Sequence, residues 1–180
     1  MTEIAKEPEH IEIEILEMGG TINGILDPNG PIPDESRVVG FLEKFQSELL
    51  IRCSFKIVVM KDSRVIQTED RKALTDAIRH TFTKRILVPH GTFTMPETGR
   101  FLQKSLGEKI GEKCVVLVGS MIPLGEKESD APANIEFAVA NLRKAPPGVW
   151  VAMIRNLWNP QEVQKDLETG EFRLRDGVCK

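Results

Sequence analysis

Between Ile11 and Leu16 apolar and charged residues alternate, with Ile11, Ile13 and Ile15 separated by Glu12 and Glu14. A repeat of two predicts a strand with one face solvated or lying at a sheet edge. MGGTING ends that strand, and LDPNGPIPDES, residues 26–36, is dense in Pro, Gly and Asp and predicts a loop. The repeat then lengthens: Val38, Val39, Leu42 and Phe45 share a helical face, with Asp34 or Ser36 as its cap. LLIRCSFKIVVM is the second strand region. Thr68 then opens a helix with Glu69 and Asp70 in its first turn, where the helix dipole favours acids, and Ala73, Leu74, Ala77 and Ile78 as its buried stripe.

RILVPH predicts a third strand, followed by a threonine-rich loop and a helix with Pro96 in its first turn, where a missing N–H costs nothing. CVVLVGS is short and wholly apolar at its start, as a strand covered on both faces should be. A helix over SDAPANIEFAVANLRKA, capped by Ser129 or Asp130, buries Ile135, Ala138, Val139 and Leu142, and GVWVAMI is the fifth strand. Strands alternating with helices predict an α/β doubly wound, mostly parallel sheet with helices on both faces. In such sheets ligands sit beyond the carboxyl ends of the strands. Those ends carry Gly19-Gly20-Thr21, Asp62-Ser63-Arg64, His90-Gly91-Thr92 and Gly119-Ser120, so four loops bring hydroxyls or bare backbone to one edge.

Composition narrows the function classes. The 180 residues, 41% hydrophobic and 28% charged, match one domain over 11–180 after a loose tail at 1–10, with a hairpin-like extension at about 155–178. A net charge of -3 with scattered Lys and Arg excludes a nucleic-acid partner held by charge. No apolar run is long enough for a membrane span and the N-terminus is not a signal peptide, so no membrane association is expected. Cys53, Cys114 and Cys179 lie far apart without metal or disulfide spacing, which fits reduced thiols in the cytoplasm. His10 and His80 look incidental, His90 reads as a structural hydrogen-bonder, and no metal site is expected.

Thr21 and Thr92 each follow a glycine, which lets backbone approach a ligand and leaves N–H groups to hold an oxyanion. A threonine hydroxyl needs a base to become a nucleophile. Hydroxyl nucleophile, second hydroxyl and backbone donors together are parts for acyl transfer from an amide. Taken singly, each hydroxyl also reads as a helix N-cap. No G-x-G-x-x-G or Walker pattern supports a flavin or nucleotide binder, since MGGTING has the wrong glycine spacing.

The motifs in their order resemble the bacterial-type L-asparaginase family, in a short form similar to its N-terminal domain only. EMGGTING looks like the family's first threonine motif and VPHGTFTMPET like its second, while VLVGSMIP, SDAPANIEFAVAN and MKDS resemble its later strand, its SDGP helix and its serine loop. The resemblance implies a flavodoxin-like amidohydrolase acting on a small amide, with no cofactor and as a homo-oligomer. Thr21 would be the acylated nucleophile and Thr92 the second catalytic threonine. Ser63 would hold the substrate carboxylate with the Gly20 and Gly91 backbone.

Departures from the family pattern are equally specific. Phe93 stands where the family has the aspartate that holds the substrate's α-ammonium, and Arg64 where it has glutamine or serine. Lys144 is the candidate for the family lysine, one position early counted from Ser129, and the chain has no tyrosine for the family's mobile loop. The resemblance ends before the C-terminal domain of full-length members, which short-chain members do without. Two outcomes fit. One is an amidohydrolase whose substrate has an apolar or blocked amine and whose carboxylate is met by Arg64 or Lys61; the other is a catalytically inactive small-molecule binding or regulatory module on the same fold.

Overall fold

A computed structural model describes residues 9–25, 32–33 and 35–177. Residues 1–8 of the expected tail, most of the expected loop at 26–36, Asp34 as a helix cap, and Cys179 lie outside the described residues. The principal strands are β1 (Ile11–Gly19), β4 (Ile51–Lys61), β5 (Arg85–Pro89), β6 (Cys114–Val118) and β7 (Gly148–Met153), with a small pair β2 (Gly24–Ile25) and β3 (Ile32–Pro33) after β1. The helices are α1 (Arg37–Lys44), α2 (Gln46–Leu49), α3 (Thr68–His80), α4 (Met95–Leu106) and α5 (Ala131–Lys144). Three short strands follow: β8 (Asn156–Trp158), β9 (Val163–Lys165) and β10 (Phe172–Leu174).

The six-stranded sheet runs β4-β1-β5-β6-β7-β8, parallel except for β8, which turns back antiparallel on β7. The chain leaves β1 outward to β4 and returns across it to β5. The connections therefore part at the carboxyl ends of β1 and β5, the switch point of a doubly wound sheet where a crevice opens.

Alternation within the strands sorts the core into two layers. Ile13 and Ile15 of β1, Leu87 of β5, and Cys114, Val116 and Val118 of β6 pack with α1 and α5 on one face. Leu16, Met18, Ile86, Val88, Val115 and Leu117 pack with α3 and α4 on the other. All of β6 is buried, as its apolar run predicts.

β1 lies inside the sheet rather than at its edge. Its Glu12 is exposed and Glu14 accepts a hydrogen bond from the Thr81 hydroxyl, but from Ile15 onward both faces are covered. The edge on that side is β4, where Phe55 and Ile57 are exposed. The α3 stripe is Leu74, Ala77 and Ile78 with Arg71 and Thr75; Ala73 faces solvent.

The residues expected as one hairpin-like extension are divided between two sheets. β8 joins the main sheet through a tight turn at Ile154 and Arg155, with φ of 50° and 55°. β9 and β10 form a separate antiparallel hairpin. Arg100 of α4 donates to the Pro160 and Val163 carbonyl oxygens at 3.0 and 3.1 Å, and this pins the start of β9 over the sheet's carboxyl edge.

Candidate functional site

The crevice is built where backbone meets backbone. Gly20 has φ of 86°, and a Cβ there would lie 2.1 Å from the Gly91 nitrogen. A Cβ on Gly91 would lie 2.4 Å from the Ser63 hydroxyl oxygen. Only glycine lets the loops after β1, β4 and β5 close to this distance. Thr94 ties two of them together by donating to the Ser63 carbonyl at 2.8 Å. The loop after β6 is held by Asp130, whose carboxylate accepts the N–H groups of Met121 and Ile122 at 3.0–3.1 Å. The four strand ends converge as the sequence pattern predicts.

Together they enclose a pocket of about 240 Å³ lined by Thr21, Asp62, Ser63, Arg64, Thr92, Phe93, Met121 and Lys165. Thr92 is buried and Lys165 half-buried, with Lys165 Nζ 2.6 Å from Thr92 Oγ1 and 3.8 Å from the Met121 sulfur. Burial lowers the Lys165 pKa from the ordinary lysine value, because a charge held away from water favours its neutral form. The Thr21 hydroxyl opens into the same pocket with no hydrogen-bond partner among the described residues, and the N–H groups of Thr21 and Thr92 likewise meet no acceptor there.

Charges around the rim are largely spent on one another. Arg64 grips Asp62 through Nε at 3.0 Å and Nη2 at 2.6 Å, and these bonds hold the Asp62 carboxyl below its usual pKa. Lys61 is paired with Asp70 at 2.7 Å and is not a pocket group. For Asp70 burial acts to raise the pKa, but the Gln67 N–H and Lys61 together outweigh it. Phe93, 42% exposed, and Met121, 43% exposed, form an apolar lip.

Lys144 does not reach this site. It is exposed at the end of α5, beside Arg143, whose guanidinium donates to the Leu49 and Leu50 carbonyls. Leu50 accepts from the first residue of β1, so Lys144 lies at the opposite edge of the sheet. The lysine in the pocket is Lys165, delivered by the C-terminal hairpin. Nothing in the local sequence marks it except its place after Val163, two residues along a strand whose apolar position is anchored.

His90 is fully buried. Its Nδ1 donates to the Gly91 carbonyl at 2.8 Å, Nε2 has no partner among the described residues, and burial drives its pKa down to about 4. A neutral ring shaping the Gly91 loop is the role this permits. In a larger cleft of about 430 Å³ between α3 and α4, Asp76 pairs with Arg79 and the Thr75 hydroxyl donates to the Arg71 carbonyl. Among the described residues no three His, Cys, Asp or Glu side chains gather as a metal site requires, and no helix is long and apolar enough to cross a membrane.

Residues 12–171 match the family model of the asparaginase N-terminal domain. An L-asparaginase of Thermococcus kodakarensis is 35% identical over 106 residues, covering 58% of this chain and 32% of that protein. A protein named as a probable periplasmic L-asparaginase, from Haemophilus influenzae, is 39% identical over 90 residues, covering 48% and 25%. Among solved structures, the thermostable L-asparaginase from Thermococcus kodakarensis superposes with a TM-score of 0.75 at 26% identity, over 91% of this chain and 51% of that one. A probable cytoplasmic L-asparaginase from Campylobacter jejuni gives 0.78 at 30%, over 93% and 54%. The chain thus spans about half the length of these structures, and its alignments a third or less of the sequence relatives.

Proposed function

The chain belongs to the asparaginase N-terminal family, and we propose that it is a threonine amidohydrolase that splits a small amide into an acid and ammonia. The observation that carries this reading is the 2.6 Å contact between Lys165 Nζ and Thr92 Oγ1 in a pocket that also holds Thr21. A hydroxyl in contact with an amine of lowered pKa is a proton relay. Thr21 Oγ1 attacks the amide carbon, and the free N–H groups of the threonine loops hold the oxyanion. The Thr21 proton passes to Lys165 by way of Thr92, the C–N bond breaks, the nitrogen takes that proton and leaves as ammonia, and an ester remains on Thr21. Thr92 and Lys165 draw a proton from water, which attacks the ester; the bond to Thr21 Oγ1 breaks, that oxygen takes the proton back, and the acid is released.

Substrate choice follows from the rim. Phe93 offers no acceptor and Asp62 is committed to Arg64, so a free α-ammonium would be desolvated without a partner. Amides with a blocked or absent amine fit better, with their carboxylate met by Ser63 and the outward-facing part of Arg64. A reducing cytoplasm suits the unpaired thiols of Cys53 and Cys114, and a homo-oligomer belongs to the same reading.

One geometric fact favours a second assignment within this chemistry. Thr92, not Thr21, is the hydroxyl already touching a base, so Thr92 is the alternative site of acylation. With Lys165 in place of Lys144 for the relay, the reading as an inactive binding module rests on Phe93, Arg64 and the missing tyrosine. Acid-quenching the protein during incubation with N-acetylasparagine and mapping the acyl group by peptide mass distinguishes these. An adduct on Thr21 supports the main assignment, one on Thr92 moves the nucleophile, and no adduct together with no ammonia supports the binding module.

A further inference from the structure

One buried carboxyl next to the pocket has no cationic partner among the described residues. Glu17 lies on β1 just before Gly19 and Gly20, fully buried on the face that carries Ile13 and Ile15. Its two oxygens accept from Asn23 Nδ2 at 2.6 Å and from the Ser36 hydroxyl. Asn23 closes the short helical turn that Thr21 opens, and its own Oδ1 accepts the Val38 N–H at 3.1 Å, in the first turn of α1. Ser36 occupies the N-cap position of α1 yet gives its hydroxyl to Glu17 instead of its own helix. Asn23 therefore caps α1 from fifteen residues away, and Glu17 holds both ends of the arrangement.

Among the described residues no nearby cation repays the burial of that carboxyl. Arg37 of α1 directs its guanidinium to Glu35, Lys61 of β4 pairs with Asp70, and Arg143 of α5 binds the Leu49 and Leu50 carbonyls. His90, just after β5, faces the other layer, where Arg71 acts on it. A carboxyl placed among apolar side chains without a counter-ion is costly. Desolvation raises its pKa from 4.5 to about 7, against the two hydrogen bonds that lower it.

We propose that Glu17 is a positioning residue for Thr21, holding the Thr21–Asn23 turn against the start of α1 through Asn23 and Ser36. The assignment rests on Thr21 being a reacting hydroxyl. Ionised, the carboxylate accepts from both partners. Protonated, it must donate to one, and only the Ser36 hydroxyl can accept, since Asn23 presents an NH₂. Asn23 is left on a neutral, weaker acceptor, so the turn that sets Thr21 loosens as Glu17 takes up a proton.

The test is an amide NMR titration of the whole chain from pH 5.5 to 8.5 without substrate, for the wild type and Glu17→Gln. The expected result is that the Thr21, Ile22, Asn23 and Val38 amides shift with one midpoint near pH 7 in the wild type and stay flat in the variant. Flat wild-type signals, or the same titration in the variant, overturn the proposal, and the wild-type arm needs no variant to fold. With N-acetylasparagine as the probe, Glu17→Gln is expected to lower kcat about tenfold at pH 8 with KM within about twofold; an unchanged kcat contradicts a positioning role. Full activity in Thr21→Ala would instead sink the Thr21 reading while the titration stands or falls by itself.

Discussion

Lys165 and Thr92 are 73 positions apart in sequence, yet their side chains meet at 2.6 Å, Nζ to Oγ1. The contact depends on Arg100 and the β9–β10 hairpin, which carry the lysine back over the carboxyl edge of the sheet. The proposed threonine chemistry rests on this contact, because a hydroxyl nucleophile requires a base.

Lys165→Met is expected to lower amide turnover by about two to four orders of magnitude, the usual worth of a positioned base. Because the base works as the neutral amine, kcat/KM of the wild type rises with pH through the Lys165 pKa. Burial places that limb below the ordinary lysine value of 10.5. A pH–rate profile of ammonia release checks both, and a limb surviving in Lys165→Met would assign it elsewhere.

Phe93→Asp puts a carboxylate back on the lip of the pocket. A charge-assisted contact to a free α-ammonium is worth about 1.5–3 kcal/mol. Asparagine is therefore expected to gain roughly tenfold to a hundredfold in kcat/KM while N-acetylasparagine does not. Comparing the two substrates in one assay reads this directly, and equal gains would mean that Phe93 does not select against the amine.

Much of this architecture is legible in the sequence, for physical reasons. β6 shows itself because burial on both faces demands an unbroken apolar run, and α5 because one buried face demands Ile135, Ala138, Val139 and Leu142 at helical spacing. The threonine loops announce themselves through glycines that close contact makes obligatory. Glu17 was not legible as a site residue: the alternation turns it inward behind Ile13 and Ile15, but only the fold brings Asn23 and Ser36 to it. Lys165 was not either, since it sits in a three-residue strand whose position is set by long-range contacts to α4, and Lys144 offered a nearer match along the chain while lying at the far edge of the fold.

The pKa of Glu17 makes a stability prediction as well as a functional one. Its folded value of about 7 exceeds the ordinary 4.5, so the folded state binds the proton more tightly. The penalty is absent below about pH 4.5, grows through the interval, and is fully present above about pH 7. At 1.36 kcal/mol per unit this amounts to roughly 3 kcal/mol. Glu17→Gln is expected to match the wild type near pH 4.5 and exceed it by that order at pH 8, measured by urea unfolding. A constant offset across the range would show that the carboxyl does not titrate in this interval.

Gly20→Ala is expected to cost about 2–4 kcal/mol, since it combines a φ of 86° with a Cβ placed 2.1 Å from the Gly91 nitrogen. Thermal unfolding measures it. Substitution of Gly40, where an added Cβ meets nothing within 4 Å, provides the control and should leave stability unchanged or raise it.

The most direct test of the threonine amidohydrolase account is ammonia release from a panel of amides. Asparagine, glutamine, N-acetylasparagine and simple amides lacking the α-amine would be compared for the wild type, Thr21→Ala and Lys165→Met. Turnover by the wild type is expected, greatest on amides without a free α-amine and lost in both variants. Folded wild-type protein that releases no ammonia from any of them, or release that persists undiminished in Thr21→Ala and Lys165→Met, would contradict the account.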